Sequence, residues 1–195
     1  MASSQLALPD SLPTGARAFM KQAKELSFTN KVGRAAWGAT WLLFFRPSPT
    51  PFHGWRRTLL KLFGAKVGRG ARAYPSARVW APWNLTMKAD SCLGSHVDCY
   101  CVDRIEIGER AIVSQYTYLC SAGHDIADRK MGLLTGPITI GRDAWVAADA
   151  YIGPGVSVGE GAVVGARGSV FKDVSPWDVV VGNPAKPIKR RVLRD

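Results

Sequence analysis

Histidine is scarce in this chain, three residues in 195, and one of them, His124, stands in the tripeptide Gly123-His124-Asp125. A neutral imidazole near its ordinary pKa accepts a hydroxyl proton at physiological pH, so a histidine at a break in regular structure is a candidate general base. A purely structural turn histidine fits the same local sequence, and both readings stand. Ser121 lies three residues earlier, without the elbow motif that exposes a serine nucleophile. Direct attack by an acceptor hydroxyl on an activated acyl donor therefore fits better than a covalent acyl-enzyme. Asp98 precedes a short break at Asp103–Glu106 and offers a carboxylate to a hydroxyl or to the base; a turn aspartate is the alternative. Asp125 offers a second orienting carboxylate, although adjacent side chains tend to diverge, and His96 reads as a surface corner residue.

Such groups need a scaffold, and the chain carries one in a six-residue beat. Aliphatic residues recur at Val67, Val79, Leu85, Val97, Ile107, Val113 and Leu119, then at Ile140, Val146, Ile152, Val158, Val164 and Val170. Small residues such as Gly68, Gly108, Gly141, Gly153 and Gly159 follow many of them and are expected to let the chain turn a corner. A period of six matches neither the helical 3.6 nor simple strand alternation, and it is shorter than the 8–12-residue strand spacing of a β-sandwich. It marks a solenoid whose neighbouring coils bury one another's apolar face. Three units make one triangular coil, with coils stacked roughly 4.8 Å apart.

The expected fold class is therefore all-β, a parallel β-helix of hexapeptide coils. A helical appendage is expected over residues 1–64, the β-helix over 65–184 and a basic tail over 185–195. A loop at about 125–139 leaves the coil soon after His124, where an insertion can carry chemistry without disturbing the core.

The formal charge of +11 raises a nucleic-acid reading, which its distribution removes. Residues 1–66 hold ten Lys or Arg against Asp10 and Glu25, and Lys186–Asp195 holds five against one acid. The repeat body between them is about neutral and lacks the stacking platform of a single-strand binder. Cys92, Cys99, Cys101 and Cys120 show no CxxC spacing and read as buried thiols of a reducing compartment. No cleavable signal is evident, so a cytoplasmic location is expected.

Val32–Phe45 is strongly apolar but shorter than the roughly 20 residues of a bilayer span. After Pro47–Pro51, the stretch Trp55–Phe63 reads as a basic amphipathic helix. Residues 32–63 either cap the open end of the solenoid or make peripheral membrane contact at anionic lipid, and the two roles are compatible.

The stretch Ile140-Gly141-Arg142-Asp143-Ala144-Trp145-Val146, with Ile152-Gly153-Pro154-Gly155 and Gly182-Asn183-Pro184-Ala185-Lys186, resembles the hexapeptide-repeat acyltransferases of the galactoside, maltose and nodulation type. Leu62–Lys66 and Tyr118-Leu119-Cys120 before Gly123-His124-Asp125 bring it closer to acetyltransferases of exopolysaccharide pathways. The resemblance spans about residues 28–192. It implies a left-handed coil, a homotrimer with acetyl-CoA in the groove between prisms, and a saccharide or lipid-linked saccharide acceptor. His124 falls at the general-base position. Asp98 and Trp145 fall near acceptor-binding positions, and Ala148, Ala166, Lys172, Lys186 and Lys189 at CoA-binding ones. No metal is implied: the three-histidine set of zinc enzymes on this fold is missing. Ala147 departs from a usual glycine, and Phe171 stands where a small polar residue can meet CoA, which leaves the acyl length open. A non-catalytic scaffold is the rival from another class.

Overall fold

The computed structural model describes residues 21–22 and 27–193. The parts of the expected appendage and tail at 1–20, 23–26 and 194–195 lie outside the described residues. The repeats wind into a left-handed triangular prism with one parallel sheet per face. The first face stacks Lys66–Val67, Leu85–Met87, Ile105–Ile107, Ile138–Ile140 and Ser157–Val158. The second stacks Arg72–Ala73, Cys92–Leu93, Ile112–Val113, Trp145–Val146, Val163–Val164 and Asp178–Val181. The third stacks Arg78–Val79, Asp98–Tyr100, Tyr118–Cys120, Tyr151–Ile152 and Ser169–Val170.

One inward residue per strand builds three columns of core. Val67, Met87, Ile107, Ile140 and Val158 form the first, and Ala73, Leu93, Val113, Val146, Val164 and Val180 the second. Val79, Cys99, Leu119, Ile152 and Val170 form the third. Two expected anchors are thereby corrected: Leu85 stacks on Ile105, and the partner of Val79 is Cys99, not Val97. Leu85 and Val97 are still buried, but off the columns.

The small residue after an anchor serves coil clearance more than turning. A Cβ on Gly108 or Gly141 would stand 2.6 Å from the backbone nitrogen of Arg142 or Glu160 in the next coil. The left-handed backbone that makes that corner comes two residues later, at Arg110 (φ 56°) and Asp143 (φ 55°). His96 (φ 57°) sits at another corner, exposed and stacked on Tyr116 at 5.0 Å, as expected of a surface corner residue.

One corner of the prism carries every enlargement of the coil. Lys66, Thr86 and Glu106 pair in register, so the first two coils are each two residues longer than three hexapeptides. Thr139 pairs next, after the long loop, and Ser157 follows it at the plain eighteen-residue spacing. All the additions fall between the third face and the first, and side chains strap them together. Asn84 Nδ2 donates to the carbonyls of Cys101 (3.0 Å) and Val102 (2.8 Å). Ser121 Oγ donates to the Tyr100 carbonyl at 2.8 Å and accepts from the Asp103 N–H at 2.9 Å.

Helix α1 (Phe28–Thr40) continues through a π-helical turn, Trp41–Phe45, and α2 (His53–Leu62) follows a proline-rich loop. Ser27 caps α1 by accepting the Asn30 N–H at 3.2 Å. Trp37, Trp41 and Phe45 recur every fourth residue and turn one face toward the prism. Among the described residues no coil lies below the first, so its edge carbonyls need outside donors. Trp37 Nε1 donates to Val79 O at 2.6 Å and Trp41 Nε1 to Ala77 O at 2.9 Å. Arg56 Nε donates to Ala73 O at 2.6 Å and Arg57 Nη1 to Ala71 O at 3.1 Å. The capping role read from sequence is thus realised atom by atom. At the other end Lys186–Arg190 is an antiparallel strand on Asp178–Val181, so this part of the expected tail is sheet.

Candidate active site

The long insertion is an antiparallel hairpin. Ala122, Gly123 and His124 pair with Thr135, Leu134 and Leu133, and Lys21–Gln22 add an outer strand against Thr135 and Leu134. Its neck closes where the Gly136 N–H donates to Ser121 O at 3.0 Å. A Cβ on Gly136 would meet the Gly155 backbone nitrogen at 2.7 Å, so the hairpin's return needs glycine there. Asp125 turns into its own loop, accepting the Ala127 N–H at 3.0 Å, and does not orient His124. Ser121 is fully buried and engaged in the strap described above, which leaves it no role as a nucleophile.

His124 Nδ1 lies 2.7 Å from the Met131 carbonyl. A carbonyl only accepts, so Nδ1 carries a proton, and Nε2 is the nitrogen left free to accept one. Met131 itself holds a left-handed φ of 49°, which the turn stabilises through its N–H to Asp128 O at 2.8 Å. The side chain of His124 is exposed at the corner. The ring is thus held through Nδ1 by its own loop.

A cavity of about 420 Å³ opens between α1 and the third face, lined by Arg34, Trp41, Arg78, Trp80, Asp98, Tyr100 and Tyr118 among others. The Arg34 guanidinium lies 4.2 Å over the Trp80 ring, and its Nε donates to Asn30 Oδ1 at 3.1 Å. Trp80, Tyr100, Tyr118, Tyr151 and Phe171 form a ladder up the face, with successive centroids 5.4, 6.3, 5.7 and 5.5 Å apart. Partial desolvation raises the Asp98 carboxyl above the ordinary carboxylate range, and nearby Arg78 opposes the shift. Desolvation likewise raises the Tyr118 phenol, with Cys120 next in effect. Apolar ring faces beside a carboxylate and guanidinium groups suit a polyhydroxylated ring.

Trp145 lies on the second face, half-exposed, with Nε1 donating to Ser114 Oγ at 2.9 Å. It borders a cavity of about 280 Å³ with Arg110, Asp143, Trp177 and Arg191. There Arg110 grips Asp143 through two 2.7 Å bonds and holds its carboxyl below the usual range. Ala148 and Ala166 stack in successive coils at the corner between the second and third faces, where the Arg167 N–H donates to Ala148 O at 2.9 Å. Lys172 follows the third face, and Lys186 and Lys189 lie on the terminal strand, all exposed. The chain therefore gathers Asp98 with the aromatic cavity, puts Trp145, Lys186 and Lys189 on the second sheet, and leaves Lys172 at the corner after the third face. Arg34, Trp80 and Tyr100 were not singled out from sequence as site residues, and Tyr118 entered only as part of the Tyr118-Leu119-Cys120 motif; the twenty-residue interval between Trp80 and Tyr100, equal to one coil, was the available signal.

Stacked hexapeptide coils interrupted by a long hairpin define a hexapeptide-repeat β-helix. Residues 137–168 match the family model described as bacterial transferase hexapeptide (six repeats). The chain is 40% identical over 163 residues to WcaF of Escherichia coli (strain K12), whose name places it among the acetyltransferases of colanic acid biosynthesis. That match covers 84% of this chain and 90% of WcaF. The chain belongs to the hexapeptide-repeat acetyltransferases. Its fold matches a maltose O-acetyltransferase from Clostridium difficile 630 with a TM-score of 0.71 at 25% identity, over 84% of this chain and 89% of the other. It also matches a hexapeptide-repeat acetyltransferase from Vibrio cholerae complexed with acetyl-CoA, with a TM-score of 0.76 at 22% identity over 88% and 93%.

Proposed function

We propose that this acetyltransferase moves an acetyl group from acetyl-CoA to a hydroxyl of a saccharide destined for an exopolysaccharide, with His124 as general base. The observation that carries the proposal is the 2.7 Å contact between His124 Nδ1 and the Met131 carbonyl, which leaves Nε2 to take the proton. The acceptor oxygen attacks the thioester carbonyl as its proton passes to Nε2. The tetrahedral intermediate then collapses, the carbon–sulfur bond breaks, and the departing thiolate takes that proton from the imidazolium. Holding donor and acceptor in one cleft supplies proximity. The donor assignment draws on the relatives crystallised with acetyl-CoA or CoA, and the exopolysaccharide assignment on the WcaF relative.

The cavity at Asp98 is the proposed acceptor site, with the Trp80 and Tyr100 rings against the sugar and Asp98 on a hydroxyl. Trp145, Ala148, Ala166, Lys172, Lys186 and Lys189 stand on other faces and corners of the same prism, and this supports a site completed between copies in a trimer. Replacing His124 by Ala should lower turnover by roughly 10²-fold or more while the stabilisation of the protein by acetyl-CoA persists. Full activity in that variant would overturn the base assignment.

A further inference from the structure

The cap that closes the first coil has two faces, and only one of them is used by the prism. Trp37, Phe45, Arg56, Leu59 and Leu60 are buried against the coil. The π-helical turn sets their neighbours on the opposite side: the Arg46 N–H reaches back to Trp41 O at 2.8 Å, so the wider turn carries Leu42, Leu43 and Phe44 outward between the buried ring of Phe45 and the capping ring of Trp41. Trp55 Nε1 donates to Phe44 O at 2.9 Å and joins the start of α2 to this patch. Leu42, Leu43, Phe44, Phe52 and Trp55 are between 44% and 62% exposed.

The charge around the patch has one sign. From Leu26 to Ala89 the chain contains eleven Lys or Arg and no Asp or Glu. Arg46 and Lys61 are exposed on the cap itself. A cap whose described residues carry Arg and Lys but no acid disfavours a second copy of itself and matches anionic lipid, into whose interface Leu, Phe and Trp insert while Arg and Lys meet the headgroups. Among the described residues no helix is long and apolar enough to cross a membrane.

We infer that the outer face of the cap is an interfacial anchor that seats the protein on an anionic lipid surface. Because α1 also walls the Asp98 cavity, such seating holds that cavity beside the lipid; taken together with the proposed acceptor site, it favours a saccharide carried on a lipid anchor. The anchor itself is tested without reference to turnover.

The test is cosedimentation of the full chain with sucrose-loaded vesicles of phosphatidylcholine alone or mixed equally with phosphatidylglycerol. Binding is expected only to the mixed vesicles and should weaken as salt is raised. The double variant Leu43→Ser/Phe44→Ser should lower the bound fraction at least about tenfold. Arg46→Glu/Lys61→Glu should do the same while the melting temperature stays put. Absence of wild-type binding, or undiminished binding by both variants, overturns the inference. So does a fall in oligomeric mass of Leu43→Ser/Phe44→Ser without vesicles, because the patch would then be a contact between copies.

Discussion

Replacing Arg56 by Met is expected to remove a large share of the protein's stability, although Arg56 touches no acid. The guanidinium is fully buried and makes five bonds. Nε donates to Ala73 O at 2.6 Å, and Nη1 to Ser48 Oγ and Pro49 O, each at 2.8 Å. Nη2 donates to Thr50 O and lies 3.0 Å from His53 Nδ1. A Met side chain replaces the apolar stem but none of the donors. Pro49 and Thr50 are exposed and their carbonyls regain water, whereas Ala73 is buried at the coil edge and its carbonyl is left with only the 3.1 Å contact to His53 Nδ1. Each lost bond to a charged group costs about 1.5–3 kcal/mol, and the Ala73 carbonyl, short of its better partner, adds part of the about 1–3 kcal/mol that a fully unpaired buried acceptor would cost. Relief of the guanidinium's own desolvation offsets part of this. The net expectation is a loss of about 3–4 kcal/mol against a typical total of about 5–15 kcal/mol. At about 2–4 °C per kcal/mol for a chain of this size, the midpoint should fall by about 10 °C. Calorimetry and urea unfolding at matched protein concentration measure it, since assembly shifts apparent stability. Arg56→Lys should recover little, because an ammonium point charge does not span acceptors on both the coil and the loop. A loss below about 1 kcal/mol would refute the reasoning that a cation tethers the cap to the coil edge.

The same cluster makes stability depend on pH. His53 Nδ1 lies between Arg56 Nη2 at 3.0 Å and the Ala73 carbonyl at 3.1 Å; burial is the largest effect and lowers its pKa from the ordinary value, the Ala73 carbonyl opposes the shift, and the neighbouring arginines add to the lowering. A histidine with a depressed folded pKa contributes stability above its unfolded pKa of about 6.5 and loses it as pH falls from there toward the folded value. His53→Gln should therefore narrow the difference in melting temperature between neutral and mildly acidic buffer, and an unchanged difference would reject the assignment. Asp98 is the converse case: desolvation raises its pKa, so its charge is a cost near neutrality. Asp98→Asn should leave the melting temperature unchanged or higher at pH 7, yet raise the KM for the acceptor at least about tenfold if the carboxylate bonds a sugar hydroxyl. A KM that does not move would remove Asp98 from the acceptor site.

The period of the repeat made the architecture legible, because a column of buried side chains needs an aliphatic residue at every sixth position whatever lies between. Register was harder to read. A two-residue enlargement after Val79 put Leu85 six positions on by coincidence, so the beat seemed to continue where the coil had in fact widened, and Met87 holds the column instead. Sequence alone treats a six-residue interval as proof of an unbroken coil; only hydrogen-bond pairing separates a regular coil from one with a compensated insertion. His124 stood out because its hairpin is too long to be compensated. Its tautomer did not, since the Met131 carbonyl that fixes it is seven residues away across a turn.

The acceptor cavity was hidden for a different reason. Arg34 and Trp80 meet only because α1 lies under the edge of the first coil, and Asp98 and Tyr118 join them one and two coils later. The cap that supplies Arg34 is the element that satisfies the coil's edge carbonyls through Trp37, Trp41 and Arg56. Closing the solenoid and shaping the cavity are thus one structural act: a substitution that loosens the cap should widen the cavity before it unfolds the prism. Arg56→Met therefore carries a second expectation, that weakened acceptor binding appears at temperatures well below the melting midpoint. Acceptor KM measured across that range decides it, and a KM that stays level until the prism itself melts would show that cap and cavity are independent.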